Sequence, residues 1–397
     1  MSMQTEAYLL RAWPHNVFRL GKTSLDNTFE YIHSDTLFSA IMNTHAMMYG
    51  QQQTRLLKEL FDPATDSGQI SLSSAFHCLS WQQQQKAQWL FFFPKPLIYQ
   101  LCPPDQLKQS KRIRFISRGL WQMAPPARQL PDVPCLGGTH ALSFGELLQL
   151  GLLSWPQLQP FIHYRERKKL SLQSLQQLQQ LEESQLQALF HTEKLNNYLR
   201  DFKVCRQITY PKVVVHQKGQ QAAYYTQTYV QLQSFTNAGG DSLQTHFFFL
   251  LNLPDEISNP QKQQLRAAIR MLADEGIGGD RSSGAGHLQA VEQIQLDLPT
   301  LPQPNYLVNL SLSIPQNQEE FDQYTHYRYL LRGGGALADA DDYGHQNQRQ
   351  QIRMLAEGSM CRSNSPQPVG KLLSISPDKR PIFRNGLTFS IPFTYAH

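Results

Sequence analysis

The sequence predicts an α+β fold of two tandem modules, and three observations carry that expectation. Strand, helix, strand and strand patterns follow one another over residues 7–96. Strand–helix–strand order then restarts after residue 205. A chain of 397 residues, 41% apolar and 17% charged, is long enough to bury two ordinary cores.

The elements follow in order. Ala7 to Trp13 reads as a first strand, closed by Pro14 and the polar loop around Asn16. A helix starts near Ser34, whose hydroxyl suits a free N-terminal amide, while Asp35 complements the positive helix end. It runs through LFSAIMNTHAMMY and stops at Gly50, with Leu37, Ile41 and Met48 on its buried face. Ile70–Phe76 and Gln88–Pro96 are strand-like, which completes the opening of a split β-α-β, ferredoxin-like module at residues 1–205. Phe91–Phe93 reads as core and not as a stacking platform for bases, because no alternation exposes it.

Residues 150–200 form a Gln- and Leu-rich helical insertion with the basic run Arg165 to Lys169. Leu172, Leu175, Leu178 and Leu181 recur every third residue, so the stripe slips about 60° per step and winds round a helix. No heptad supports a coiled coil. The second module, residues 206–397, opens with an extended hairpin at about 211–232 around a polar tip at Gly219. Thr245–Leu253 is a buried strand. Asn259 and Pro260 stand where a cap and a first-turn proline belong, and Leu265, Ala268, Ile269 and Leu272 are helically spaced up to Gly276. His287 to Leu298 alternates into another strand.

Composition narrows the class. A net charge of +5 permits a nucleic-acid partner without requiring one. Cys78, Cys102, Cys135, Cys205 and Cys361 are scattered, with no C-x-x-C pair, so neither a zinc site nor a disulfide framework is encoded. The N-terminal MSMQTEAYLLRAW lacks the layout of a signal peptide, and the longest apolar run, Phe247–Leu253, is too short to span a bilayer. A soluble cytoplasmic protein without a cofactor or metal is expected. The acidic run Asp339–Asp342 has Tyr343 and Gln350 where a calcium loop needs oxygen ligands, so it reads as a solvated loop.

The most informative stretch is GIGGDRSSGAGH, Gly276 to His287. It lacks the lysine of a P-loop, and it follows a helix where phosphate and dinucleotide loops precede one. Small side chains, two hydroxyls and Arg281 instead suit close approach to a phosphate backbone. The alternative is a helix C-cap with a bulged strand entry, which needs fewer glycines.

The loop resembles the glycine-rich loop of the RAMP superfamily of CRISPR RNA-binding subunits. FRLG (Phe18–Gly21), HSDTLFSAI (His33–Ile41), LSSAF (Leu72–Phe76), FFPKPL (Phe92–Leu97), SKRIRFIS (Ser110–Ser117) and LAEGSM (Leu355–Met360) narrow the resemblance. In that order they resemble the fourth-subunit family of type III-A Csm complexes. The resemblance implies two ferredoxin-like domains, no chemistry of their own, and a role holding the 5′ tag of the crRNA. It implies docking to the large polymerase/nuclease subunit and to the backbone RAMP subunit, in antiviral defence. It places Gly276, Gly278, Gly279, Arg281, Ser282, Ser283 and Gly284 on tag phosphates. Arg19, His33 and Ser34 would lie beside tag bases, and Lys111, Arg112 and Arg114 along the backbone. Lys212 to Tyr225 falls where the family has its thumb hairpin. Two alternatives stay open: a metal-independent crRNA-processing endoribonuclease with His33 as acid or base, and a structural protein that never touches RNA.

Overall fold

The computed structural model describes residues 3–21, 27–63, 70–83, 85–98, 111–123, 133–167, 174–215, 222–299, 303–333, 351–363, 369–375 and 383–395. Gly219, Leu172, Lys169, Cys102, Ser110 and Asp339–Asp342 therefore lie outside the described residues.

In chain order the first strands are β1 (Met3–Arg11), β2 (Val17–Phe18), β3 (Ser71–Leu72), β4 (Phe76–Gln83), β5 (Lys86–Pro94), β6 (Phe115–Ser117), β7 (Cys135–Leu136) and β8 (His140–Ala141). Next come β9 (Cys205–Val215), β10 (Ala222–Leu232), β11 (Ser234–Thr236), β12 (Ser242–Pro254) and β13 (Ala290–Ile294). One ten-stranded sheet runs β13-β1-β12-β4-β5-β6-β8-β7, with β3 and β11 also paired to β12. The strand that opens the chain is thus held between two strands from its second half: Leu9 pairs with Phe248 on one side and Glu292 on the other.

Central position explains the Thr245–Leu253 run. Phe248 and Leu250 enter one core with Ala7, Leu9 and Phe91–Phe93, while Phe247, Phe249, Leu251 and Leu253 enter the opposite one. A strand buried on both faces needs apolar residues at every position. The helices α1 (Ser34–Glu59) and α2 (Asn259–Glu275) cover the second face together, and Thr44 Oγ1 donates to the Ala268 carbonyl at 3.0 Å.

Several boundaries differ from expectation for identifiable reasons. Gly50 does break the helix, at φ 82° and ψ 166°, but helical structure resumes to Glu59. Met48, expected on the buried face, is exposed beside that break. Ser34 is not the cap of α1. His33 occupies that position, and Ser34 Oγ instead accepts the amide of Leu312 at 3.0 Å. The α2 cap moves one residue earlier, to Ser258. Ile70–Phe76 splits between β3 and β4, because Ser73 and Ser74 send their amides to the carbonyls of Leu250 and Leu310.

The Gln-rich insertion folds as a run of short helices, among them Ser174–Gln179, Glu183–Leu189 and Thr192–Leu199. Its Leu178, Leu186, Leu195 and Leu199 join the first core, with Leu175 and Leu181 packed against it. Broken helices let a winding stripe of leucines reach one core. The C-terminal region adds β14 (Tyr306–Asn309), β15 (Tyr324–His326), β16 (Tyr329–Arg332), β17 (Ile352–Leu355), β18 (Met360–Arg362), β19 (Gly370–Ser374), β20 (Phe383–Leu387) and β21 (Ser390–Phe393). These form a four-stranded sheet, β15-β18-β14-β21, and two separate ladders, β16-β17 and β19-β20. Cys78, Cys135, Cys205 and Cys361 are free thiols. Among the described residues no helix is long and apolar enough to cross a membrane.

Candidate nucleic-acid interface

Three sequence features meet at one place: the FRLG turn, the β9–β10 hairpin and the glycine loop. The hairpin is in register from Cys205–Leu232 to Val215–Ala222, and β2 adds to it through Val230–Phe18 and Gln231–Val17. The glycine loop closes over the turn. The Gly279 amide donates to the Arg19 carbonyl at 2.9 Å, and the Gly286 amide to that of Val17 at 2.8 Å. Gly278 makes this approach possible: its φ is +100°, and a Cβ there would lie 2.5 Å from the Arg19 oxygen.

Asp280, left-handed at φ 58°, ties the loop to the hairpin. Lys212 Nζ meets its Oδ2 at 2.9 Å and the Tyr229 hydroxyl donates to the same oxygen at 2.5 Å. Burial alone would raise the Asp280 pKa, but the hydrogen bonds from Tyr229 and then Lys212 hold it below the usual carboxylate range. Arg19 is 8% exposed, and its Nη1 donates to the carbonyls of Asn27 at 2.5 Å and Thr228 at 3.0 Å. Its guanidinium therefore stitches the turn to β10. Arg281 turns back over the end of α2, donating to the Glu275 carbonyl at 3.2 Å beside the Glu275 carboxylate at 3.7 Å.

What the loop leaves exposed is a crest of Gly279, Ser282, Ser283 and Gly284, whereas Gly276 is buried. The amides of Ser283 and Gly284 already bond within the loop. Those of Arg281 and Ser282 have no acceptor among the described residues. Lys111 and Arg112 are exposed, while Arg114 forms an ion pair with Glu30, and Cys205 Sγ at the hairpin base lies 3.8 Å from the same carboxylate.

His33 and Ser34 lie elsewhere, inside the protein. His33 is 2% exposed, and its Nδ1 meets Glu357 Oε1 at 2.8 Å. Ser74 donates to the same carboxylate, as does the Tyr31 hydroxyl at 2.9 Å. Burial would raise the Glu357 pKa, yet the charge of His33 and the hydrogen bonds from His33 and Ser74 lower it. Beside this network Asp35 receives a two-pronged bond from Arg332, at 3.0 and 2.8 Å, and an ion pair from Arg384. Residues of HSDT, LSSAF and LAEGSM thus converge in one buried lock between α1 and the C-terminal region.

The residues that hold these sites together, Asp280, Tyr229, Glu30, Glu357, Arg332 and Arg384, were not among those expected from the sequence. Two had a visible signal, since Asp280 lies inside the glycine loop and Glu357 inside LAEGSM. The others depend on contacts across the fold.

Comparison with known proteins agrees with this architecture. Residues 303–393 match the family described as CRISPR Csm4 C-terminal domain. The "CRISPR system Cms protein Csm4" of Methanocaldococcus jannaschii is 23% identical over 382 residues, covering 91% of this chain and 86% of that protein. A chain from the "Crystal structure of Csm3-Csm4 subcomplex in the type III-A CRISPR-Cas interference complex" aligns over 98% of this chain and 99% of its own. Its TM-score is 0.56 at 18% identity, a shared mixed α/β fold. A chain from the "Crystal structure of Csm1-Csm4 cassette in complex with cA4" aligns over 99% of both chains, at TM-score 0.49 and 14% identity. The chain thus resembles Csm4 proteins along nearly its whole length, and its C-terminal end matches the model of their C-terminal domain.

Proposed function

We propose that this protein is a non-catalytic crRNA-binding subunit of a cytoplasmic type III-A effector complex in antiviral defence. It holds the 5′ tag of the guide and presents it to the large polymerase/nuclease subunit, next to the backbone RAMP subunit. Two ferredoxin-like modules meeting near residues 205 and 206 share the sheet, and the β9–β10 hairpin serves as the thumb.

The observation that carries the proposal is the exposed crest, clamped on the turn and hairpin by Asp280. It offers the hydroxyls of Ser282 and Ser283, the amides of Arg281 and Ser282, and backbone without side chains at Gly279 and Gly284. Single-stranded RNA is bound through such phosphate contacts with bases splayed beside them. Lys111, Arg112 and Arg114 extend the cationic path. Arg19 supports the crest from within, whereas His33 and Ser34 are buried in the separate lock of α1 on the C-terminal region. That burial also counts against His33 as a general base, because its Nδ1 is taken by Glu357 and the ring does not reach solvent.

Charge reversal at the crest tests this directly. Arg281→Glu with Ser282→Asp is expected to weaken binding of tagged guide RNA and to change its salt dependence, because two negative charges then stand beside the amides and hydroxyls that face the phosphates. Affinity unchanged across a salt titration would contradict the crest as an RNA site. Incubation with repeat RNA in EDTA tests the non-catalytic half; specific cleavage that His33→Ala abolishes would overturn it.

A further inference from the structure

The Gln- and Leu-rich insertion carries a surface that the glycine-loop site does not use. Its chain returns on itself at an isolated antiparallel bridge between Ile162 and Phe190, both buried. Alternation about that bridge turns His163 and His191 the other way, where they are half-buried, while the half-buried Phe161 also packs against the first core. The rings of His163 and His191 lie 3.7 Å apart by their centroids, and Tyr198, 41% exposed, lies 5.5 Å from Phe161.

From His163 the chain enters the short helix Tyr164–Arg167. Tyr164 is 61% exposed, and the Arg167 guanidinium sits 5.6 Å from its ring centroid. Arg165 is exposed beside it. Lys194 is exposed in the first turn of the helix Thr192–Leu199, three residues after His191. The acids of the same two stretches are Glu166, Glu193 and Asp201, fewer than the cations Arg165, Arg167, Lys194 and Arg200.

We propose that this face binds single-stranded RNA, with bases stacking on Tyr164 and Tyr198 and phosphates paired to Arg165, Arg167 and Lys194. Flat rings interleaved with cations favour RNA over an acidic protein surface. Every base has a face to stack, whereas an acidic protein would use the cations and leave the rings in water. The site shares no residue with the glycine-loop crest and makes no use of the 5′ tag.

The test uses the full chain and a short fluorescein-labelled oligouridylate that carries no tag, followed by anisotropy across a salt series. Arg165→Glu, Arg167→Glu and Lys194→Glu together are expected to weaken binding at least about tenfold and to reduce the salt slope by about 2, as three lost phosphate contacts should. Tyr164→Ala should weaken it by about tenfold, and Tyr164→Phe should restore it by keeping the stacking ring. In the wild-type chain, 4-thiouridine in the same RNA should crosslink to His163, Tyr164 or Tyr198, which needs no variant to fold. Unchanged affinity and slope in the triple variant, or crosslinks only outside the insertion, would overturn the proposal. So would intact RNA affinity with loss of assembly onto the other subunits, which would make this a protein-docking face.

Discussion

Asp35→Ala is expected to destabilise the protein by roughly 3–5 kcal/mol, because it leaves two buried guanidinium groups without their shared carboxylate. Arg332 and Arg384 are both buried, and neither can be rehydrated without opening the contact between α1 and the C-terminal region. Chemical unfolding of the wild-type and variant chains measures the loss, and near-equal midpoints would contradict the role given to the triad. A pH dependence accompanies it. Burial alone would raise the Asp35 pKa, but Arg332 and then Arg384 hold it well below the usual range. The folded value thus lies below the unfolded one of about 4. The ionised carboxylate stabilises the fold at every pH above that, and its contribution is lost as pH falls from there through the folded pKa. Glu357 shifts in the same direction and adds to the loss. Acid unfolding should therefore be less steep in Asp35→Ala than in the wild-type chain.

Gly278→Ala is the second large effect. A methyl group there would lie 2.5 Å from the Arg19 carbonyl at a φ of +100°. The carbonyl belongs to the backbone and a Cβ is fixed in place by it, so no side-chain rotation relieves the clash. The bond from Gly279 to Arg19 must lengthen, and the loop must lift from the FRLG turn. A loss of roughly 2–4 kcal/mol is expected, with weaker guide-RNA binding, because the crest loses its footing. Gly284→Ala supplies the contrast. Its φ is +86° but nothing lies within 4 Å of an added Cβ, so only left-handed strain of about 1 kcal/mol applies. Equal effects of the two substitutions on stability and binding would contradict the clamp.

This contrast also answers why the loop is so rich in glycine. Close approach to something was legible in the sequence, but the nearest such surface is the protein's own FRLG turn. The crest left outside is narrower than the seven phosphate-facing positions expected between Gly276 and Gly284. Arg281 shows the same limit. Its charge suggested a phosphate partner, yet the end of α2 and Glu275 lie close enough to engage it at home.

The larger elements were readable because local pattern and tertiary role coincide. Thr245–Leu253 is apolar throughout since β12 is buried on both faces, and the Leu265–Leu272 spacing is the face that α2 turns to the sheet. Legibility failed where a residue's partner lies far along the chain. Ser34 looks like a cap until Leu312, 278 positions away, takes its hydroxyl. Asp35 suited a helix dipole, but the two arginines that claim it come from β16 and β20. His33 suits an acid or base, a contact to RNA or a structural bond, and its partner in the buried bond, Glu357, lies 324 positions away. No local pattern encodes such pairs, so the β-rich C-terminal region and its lock on α1 were beyond sequence reading.

The most direct measurement of the central claim is to locate the guide's 5′ end on the protein. A guide RNA with a photoreactive nucleotide in its 5′ tag, assembled with the full chain, should crosslink to residues of the loop crest and the β9–β10 hairpin, from Gly278 to Gly284 and around Lys212. A control guide with the same nucleotide at its 3′ end should leave those residues unlabelled. Tag crosslinks confined to other regions, or equal labelling of the crest by the 3′ probe, would contradict the account.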